Sequence, residues 1–229
     1  MAVSFVAAGT VAKASGATVT PGLPSGWAAD DIHLALITEE TGAVIGVPSG
    51  WTKIIENTNT ELLSPVFRMT LAWRRAVAGD TAPGFTGASG GIVARIGGFR
   101  GVVTTGNPHD TAPVVKDNTQ STTLTADALV PANADDMIIF LGSVEELLSD
   151  VTFSTYSGTN PTFTESFQDS NSIGGNFTAQ FMAHGLKNDT SSTGSRTAAL
   201  STNSYSIGAL ISLQAAGGGG DTLMGQACL

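Results

Sequence analysis

The sequence predicts an all-β protein, an antiparallel β-sandwich of jelly-roll-like type built from two related halves. Short runs of β-branched and apolar residues alternate with clusters of Gly, Pro, Asn and Asp, as expected for strands joined by tight turns. Charged residues make up only 13% of the 229 residues, fewer than helices place on their solvent-facing surfaces. A pattern of residues also recurs at an offset of 105 positions, from Thr18 to Thr123.

The strand pattern fits a dozen segments along the chain. They are Val3–Val11, Ala17–Thr20, Ile32–Thr38, Thr52–Thr58, Val66–Ala76, Gly91–Val102, Ser121–Ala126, Met137–Ser143, Phe153–Ser157, Asn176–Lys187, Arg196–Leu200 and Tyr205–Gln214. Residues 67–74 alternate between apolar and polar at their two ends, so we expect one face in the core and the other in solvent. The best helix candidate is 144–149, one or two turns at most, and it fits a loop equally well.

The repeat divides the chain into halves of about 1–105 and 106–216. Ala29-Asp30-Asp31-Ile32 matches Ala134-Asp135-Asp136-Met137, and the order of later segments is also shared. Because this period is too long for a solenoid unit, we expect two related halves of one sandwich domain, residues 1–216. Two tandem small sandwiches are the alternative, and they are disfavoured because no Pro/Gly/Ser linker separates the halves.

A run of four glycines, 217–220, predicts a flexible linker before a tail at 221–229. We expect this tail to dock on a partner protein. The Cys228 thiol is the chain's single cysteine, so it is either an idle thiol or a link to a neighbouring subunit. The possible partner contacts in the tail are Asp221, Thr222, Leu223, Met224, Cys228 and Leu229.

Composition argues against several partners. The formal charge of −9 has the wrong sign for binding phosphate backbones, so we expect no nucleic acid partner. No stretch approaches the ~20 apolar residues of a membrane span, so we expect no membrane insertion. The first residues lack the charged and apolar regions of a signal peptide, which predicts synthesis in a cytoplasm without export.

Residues that could carry chemistry are scattered. His33, His109 and His184 lie far apart, and no G-x-S-x-G elbow is present, so we expect a protein that is not an enzyme. No zinc or calcium motif occurs, so neither a metal nor another cofactor is expected. The doublets 30–31 and 135–136 could bind calcium, but we interpret them as turns in which Asp accepts hydrogen bonds from backbone amides.

Exposed aromatic side chains on a flat sheet could stack on sugars. The candidates are Trp27, Trp51, Trp73, Tyr156 and Tyr205. We expect Trp51 and Trp73 to belong to the core instead, because each adjoins an alternating strand.

Four segments of the first half carry a resemblance to a known family. They are Pro48-Ser49-Gly50-Trp51-Thr52, Leu71-Ala72-Trp73-Arg74-Arg75-Ala76, Gly79-Asp80 and Gly98-Phe99-Arg100-Gly101-Val102. The chain resembles, over residues 3–215, β-sandwich modules of phage virion proteins, including tail-fibre and head-decorating proteins, and of some bacterial surface proteins. The second half lacks counterparts of the Pro-x-Gly-Trp and Arg-Gly-Val motifs.

The resemblance implies a structural or adhesive role without catalytic residues. It implies that Trp51 and Phe99 anchor the core, that Gly50 and Gly101 occupy turns with positive φ, and that Arg100 pairs with a buried carboxylate.

We therefore expect a structural protein of a tailed-phage virion, a decoration, fibre or spike subunit made in the host cytoplasm. Its partners would be capsid or tail subunits and other copies of itself, with a trimer as the expected oligomer. The alternative is a carbohydrate-binding module that recognises host glycans.

Overall fold

The computed structural model describes residues 2–61, 66–146, 150–173 and 177–217. This part of the chain is all-β, with no helix and 55% strand. The fourteen strands are β1 (Ser4–Ala8), β2 (Ala12–Ser15), β3 (Thr18–Val19), β4 (Ile32–Glu39), β5 (Thr52–Thr58), β6 (Arg68–Arg75), β7 (Phe85–Thr86), β8 (Gly91–Arg100), β9 (Val114–Ala126), β10 (Asp136–Glu146), β11 (Phe153–Ser154), β12 (Thr164–Asn171), β13 (Phe177–Lys187) and β14 (Arg196–Leu213).

The strands form two six-stranded antiparallel sheets, which confirms the predicted antiparallel sandwich. The first sheet has the order β1-β8-β4-β6-β5, with β2 also paired to β8. The second has the order β11-β14-β10-β13-β12, with β9 also paired to β14. A separate two-stranded ribbon joins β3 to β7. Each half of the chain therefore supplies all the strands of one sheet.

The two sheets share their pairing register in detail. The pair Thr52–Trp73 of β5 and β6 has its equivalent in Thr164–His184 of β12 and β13. In both sheets the edge strand then has a β-bulge at the same place, at Ile54 in β5 and at Ser166 in β12. Trp73 is thus equivalent to His184. A bulge repeated at one position is a specific structural feature, and it shows that the halves have a common architecture.

Both sheets are buried on both faces. The central core between the sheets takes side chains from both halves, including Leu36 and Leu71 from the first and Leu141 from the second. Two outer clusters cover the far faces, one around Trp51 and Phe85 and the other around Phe140, Phe153 and Phe181. This explains why β4 and β10 are nearly continuous runs of buried residues, a pattern typical of strands covered on both sides.

The expectation that one face of residues 67–74 meets solvent is wrong. Met69 and Leu71 point into the central core, while Thr70 and Ala72 are buried on the opposite face. The reason is that the β3–β7 ribbon places Val19 and Phe85 over the outer side of the first sheet. Likewise, the helix candidate 144–149 is strand as far as Glu146, and residues 147–149 lie outside the described part of the chain.

The halves pack around an approximate twofold axis. Thr38 and Ser143, which are equivalent at the 105-residue offset, share a hydrogen bond of 2.6 Å between their hydroxyls. Asn59 Nδ2 donates to the Ser206 carbonyl at 2.9 Å, and Asn171 Nδ2 donates to the Ile92 carbonyl at 3.2 Å. These last two contacts are the same contact made in opposite directions, as at the isologous interface of a dimer.

Candidate functional site

A polar cleft lies on strand β9 in the described part of the chain. Its volume is about 370 Å³, which lies within the range of small-molecule sites. Four hydroxyl side chains at alternate positions of the strand line it, and charged or amide groups line the rest. The hydroxyls belong to Thr119, Ser121, Thr123 and Thr125, and the other lining residues are Glu61, Lys116, Asp117 and Asn118. We call this concavity the β9 cleft.

The β9 cleft exists because β9 and β14 lose regular pairing at this point. The register shifts between Ala199 and Ser204 of β14 and again between Ser204 and Ser206. The amide of Asn118, which is buried, donates to the Thr125 carbonyl at 3.0 Å. This bond joins two points of the same strand, so β9 bends and its polar side chains converge.

Hydrogen bonds hold the Asp117 carboxylate in place from the neighbouring half. Asn57 Nδ2 donates to Asp117 Oδ1 at 2.5 Å, and Thr60 Oγ1 donates to Asp117 Oδ2 at 3.4 Å. Lys116 instead pairs with Asp127 at 3.2 Å, and both of these side chains are exposed. Exposed pairs of this kind are weak. The cleft therefore combines one oriented carboxylate with several hydroxyls and a loosely held ammonium group.

The first half does not repeat this chemistry. In the first half, β2 pairs with β8 as β9 pairs with β14 in the second. By this correspondence, the β2 residues Ala12, Lys13 and Ala14 take the places of Lys116, Asp117 and Asn118. At these three positions the first half has two small side chains and one lysine, whereas the second half has side chains that line the cleft. The sequence motifs gave no indication of the cleft, because the equivalence of these positions follows from the strand pairing.

The aspartate doublets lie in turns, as interpreted from the sequence. Asp30 and Asp135 have φ values of 71° and 66°, the left-handed conformation that Asp tolerates better than most residues. Asp31 is buried and accepts hydrogen bonds from the Ala28 amide at 2.8 Å and from Arg100 at 2.9 and 2.7 Å. Arg100 thus pairs with a buried carboxylate, and this hydrogen bonding raises the pKa of Arg100.

The equivalent carboxylate of the second half has no arginine. Phe99 pairs with the first residue of β4, and Leu213 pairs with the equivalent residue of β10. The residue that follows is Arg100 in the first half and Gln214 in the second. Asp136 accepts instead from Ser212 Oγ and from the Ala215 amide, each at 3.1 Å. Burial and the neighbouring carboxyl of Asp110 raise the pKa of Asp136 to about 7. Among the described residues, no group of three or more His, Cys, Asp or Glu side chains is placed to hold a metal ion.

The three histidines lie in separate environments. His33 is buried with its ring edge-on to Trp27, and burial lowers its pKa. His109 lies on a loop, with Nδ1 3.2 Å from the Thr111 carbonyl oxygen. His184 Nδ1 lies 2.9 Å from Ser166 Oγ at the β12 bulge.

The contact between the Ser166 hydroxyl and the His184 ring resembles that between a catalytic nucleophile and its general base. Such a pair acts when a third polar group orients the base. The ring of His184 instead stacks on Phe5 at 5.0 Å and meets Phe99 edge-on at 6.4 Å. Burial also lowers the pKa of His184. The pair therefore packs the edge of the central core, and it occupies the place that Ile54 and Trp73 fill in the first half.

The residues that carry the family resemblance have structural positions. Trp51 is buried and meets Phe85 edge-on at 5.3 Å, while Phe99 is fully buried in the central core. Gly50 and Gly101 both have φ of 81°. The second half, which lacks the tryptophan motif, places Phe163 in its own outer cluster just before β12, as Trp51 lies just before β5.

The aromatic candidates for sugar stacking are all at least partly buried. Trp27, Trp73, Tyr156 and Tyr205 are half-buried. Trp73 and Tyr205 pack against the central core, and Tyr156 packs against the outer cluster of the second sheet and donates to Glu165 at 2.7 Å. Trp27 meets the ring of His33 edge-on at 5.6 Å.

The predicted docking tail lies outside the described residues. This holds for Asp221, Thr222, Leu223, Met224, Cys228 and Leu229, and for residues 218–220 of the glycine linker. The last described residues are held firmly: Gln214 N donates to the Pro108 carbonyl at 2.8 Å and Ala216 N to the Gly101 carbonyl at 2.7 Å. In the ranges that the structure covers, no helix is long and apolar enough to span a membrane.

Three comparisons bear on the identity of this chain. Neither protein-family models, nor curated proteins, nor solved structures gave a match to it. The fold and the β9 cleft are therefore interpreted from their own geometry.

Proposed function

We propose that this chain is a non-enzymatic structural protein of a tailed-phage virion, a decoration, fibre or spike subunit attached to the head or tail. The observation that carries the proposal is that the residues of the family-like motifs serve the framework. Trp51 and Phe99 fill cores, Gly50 and Gly101 make turns, and Arg100 neutralises a buried carboxylate. The resemblance to phage virion modules therefore lies in residues that support the folded framework of the domain.

The construction of the domain also suits a particle component. Three core clusters and the reciprocal contacts between the halves hold the two sheets together. Exposed apolar side chains are available for contacts with other subunits in the described residues. They are Val44, Val77, Val130, Ile173 and Leu186. Scattered apolar residues of this kind are common on monomers, so they support the proposal only together with the motif residues.

The proposal is tested on purified particles. Phage particles would be isolated from a lysate of the bacterium whose genome encodes the chain and imaged with gold-labelled antibody against residues 1–217. Light scattering of the purified chain would give its oligomeric state. We expect labelling at one symmetric location on head or tail and an oligomer, a trimer first. Particles that lack the chain, together with a strict monomer in solution, would refute the proposal.

A further inference from the structure

We propose that the β9 cleft binds a neutral saccharide through hydrogen bonds to side chains of strand β9. The inference assigns a site to the glycan-binding role and does not depend on the virion role. It starts from the described lining residues of the cleft, all of which carry polar side chains. An apolar ligand would leave these groups without partners, at a cost for each one, whereas a sugar carries many hydroxyls that can both donate and accept.

The hydroxyls of the cleft converge because β9 bends. The Asn118 amide reaches the Thr125 carbonyl of its own strand at 3.0 Å, so Thr119, Ser121, Thr123 and Thr125 lie closer together than they would on a straight strand. A hydroxyl can donate one hydrogen bond and accept two, so this group can meet a polyol whichever way the ligand's own hydroxyls point.

The charges of the cleft favour a neutral ligand over an anionic one. Two carboxylates, Glu61 and Asp117, face one ammonium group, Lys116. The excess negative charge opposes phosphate, sulfate and sialic acid groups. Carboxylates are also strong acceptors for sugar hydroxyls, because hydrogen bonds to an ionised acceptor are stronger than neutral ones.

The Asp117 carboxylate is preorganised for this task. Asn57 and Thr60 of the first half donate to its two oxygens, and each carboxylate oxygen has further acceptor capacity. A ligand would therefore meet an acceptor already fixed in position, which lowers the entropic cost of binding.

The comparison between halves gives an independent argument. The two copies keep the same backbone pairing, yet the second has three polar side chains at positions 116–118, where the first has Lys13 between two alanines. The segment from Asn118 to Thr123 is also one residue longer than the equivalent segment from Ala14 to Thr18. Framework positions such as Thr38 and Ser143 stay alike in the two halves, whereas these surface positions differ. The difference is concentrated where the cleft opens.

Among the described residues that line the cleft there is no aromatic ring, so we expect hydrogen bonds to supply most of the affinity. We expect a dissociation constant on the order of 0.1–1 mM for a single site. Display of many copies on one surface would raise the avidity without new contacts.

The test uses the whole chain and defined sugars. Linear oligosaccharides of glucose, galactose, mannose and N-acetylglucosamine would be titrated by calorimetry, with sialylated and sulfated oligosaccharides as anionic probes. We expect saturable binding of at least one neutral probe and weaker binding of every anionic probe. The variants Thr123→Val and Glu61→Gln should each weaken binding about threefold to tenfold.

A matched control comes from the other half. Thr18 is the exposed sequence counterpart of Thr123 and lies outside the cleft, so Thr18→Val should leave binding unchanged, and thermal unfolding would verify that all variants fold. The proposal is overturned if no neutral probe binds, if an anionic probe binds best, or if both cleft variants bind like the wild type. None of these results depends on whether the chain is found in particles.

Discussion

The buried carboxylate of Asp136 predicts an unusual dependence of stability on pH. Its pKa is raised to about 7, first because burial disfavours the charged form and then because the Asp110 carboxyl lies nearby. In the unfolded chain the same group has a pKa of about 3.9. Between these values the native state holds a proton that the unfolded state has lost, so its contribution to stability is complete below about pH 4 and is lost as pH rises through about 7.

The size of the effect follows from the shift. Three pH units at about 1.4 kcal/mol each give an upper bound of about 4 kcal/mol. The change Asp136→Asn removes the titrating group. Its Oδ1 can still accept from the Ala215 amide, and its Nδ2 can donate to the Ser212 hydroxyl, which then acts as acceptor. Relative to the wild type, this variant should therefore gain up to about 4 kcal/mol of unfolding free energy between about pH 4 and pH 8.

Urea unfolding at a series of pH values measures this difference, since urea leaves ionic interactions unscreened. The matched control is Asp31→Asn at the equivalent position of the first half. That change removes the carboxylate that Arg100 binds through two hydrogen bonds, so it should destabilise the protein at about pH 8, where Asp136→Asn stabilises it. A difference between Asp136→Asn and the wild type that stays constant with pH, or a less stable variant at pH 8, would refute the reasoning.

Three further perturbations test the packing of the two halves. Thr38→Val should lower the free energy of unfolding by about 1–3 kcal/mol, because it leaves the buried Ser143 hydroxyl without its 2.6 Å partner. In a double-mutant cycle measured by urea unfolding, adding Ser143→Ala should recover part of that loss. Asn59→Leu should cost a similar amount by breaking the bond to the Ser206 carbonyl, and an unchanged denaturation midpoint would contradict that. Gly142→Ala should cost about 1–3 kcal/mol, since its Cβ would lie 2.1 Å from the Phe181 ring, whereas Gly84→Ala, with only ordinary contacts, should leave the melting temperature nearly unchanged.

Strand patterns and the repeat were readable from the sequence because they are local. Residues 52–58 form a strand with the predicted bounds, and the doublets 30–31 and 135–136 both precede central strands. The segments that the pattern missed are β2, β7 and β12, and the two predicted strands 196–200 and 205–214 proved to be one long strand, β14. The missed strands lie at sheet edges or in the small ribbon, where the alternation of apolar residues is weak.

The β9 cleft could not be predicted from a motif, because its residues lie on a bend that only the pairing with β14 creates. Asp117 becomes an oriented acceptor through Asn57, which is sixty positions away in the chain. Likewise, the sequence could not indicate that Asp136 would be buried beside Asp110 without a cation.

The sequence by itself determined the all-β class and the duplication, since these depend on side-chain type and on the order of short segments. The framework role of Phe99 was implied by the family resemblance. The tertiary structure alone decided that each half would form its own sheet, that both faces of each sheet would be buried, and that polar side chains would converge on β9. The physical reason is that burial and convergence arise from contacts between residues distant in the chain, and such contacts leave no periodic trace in the order of amino acids.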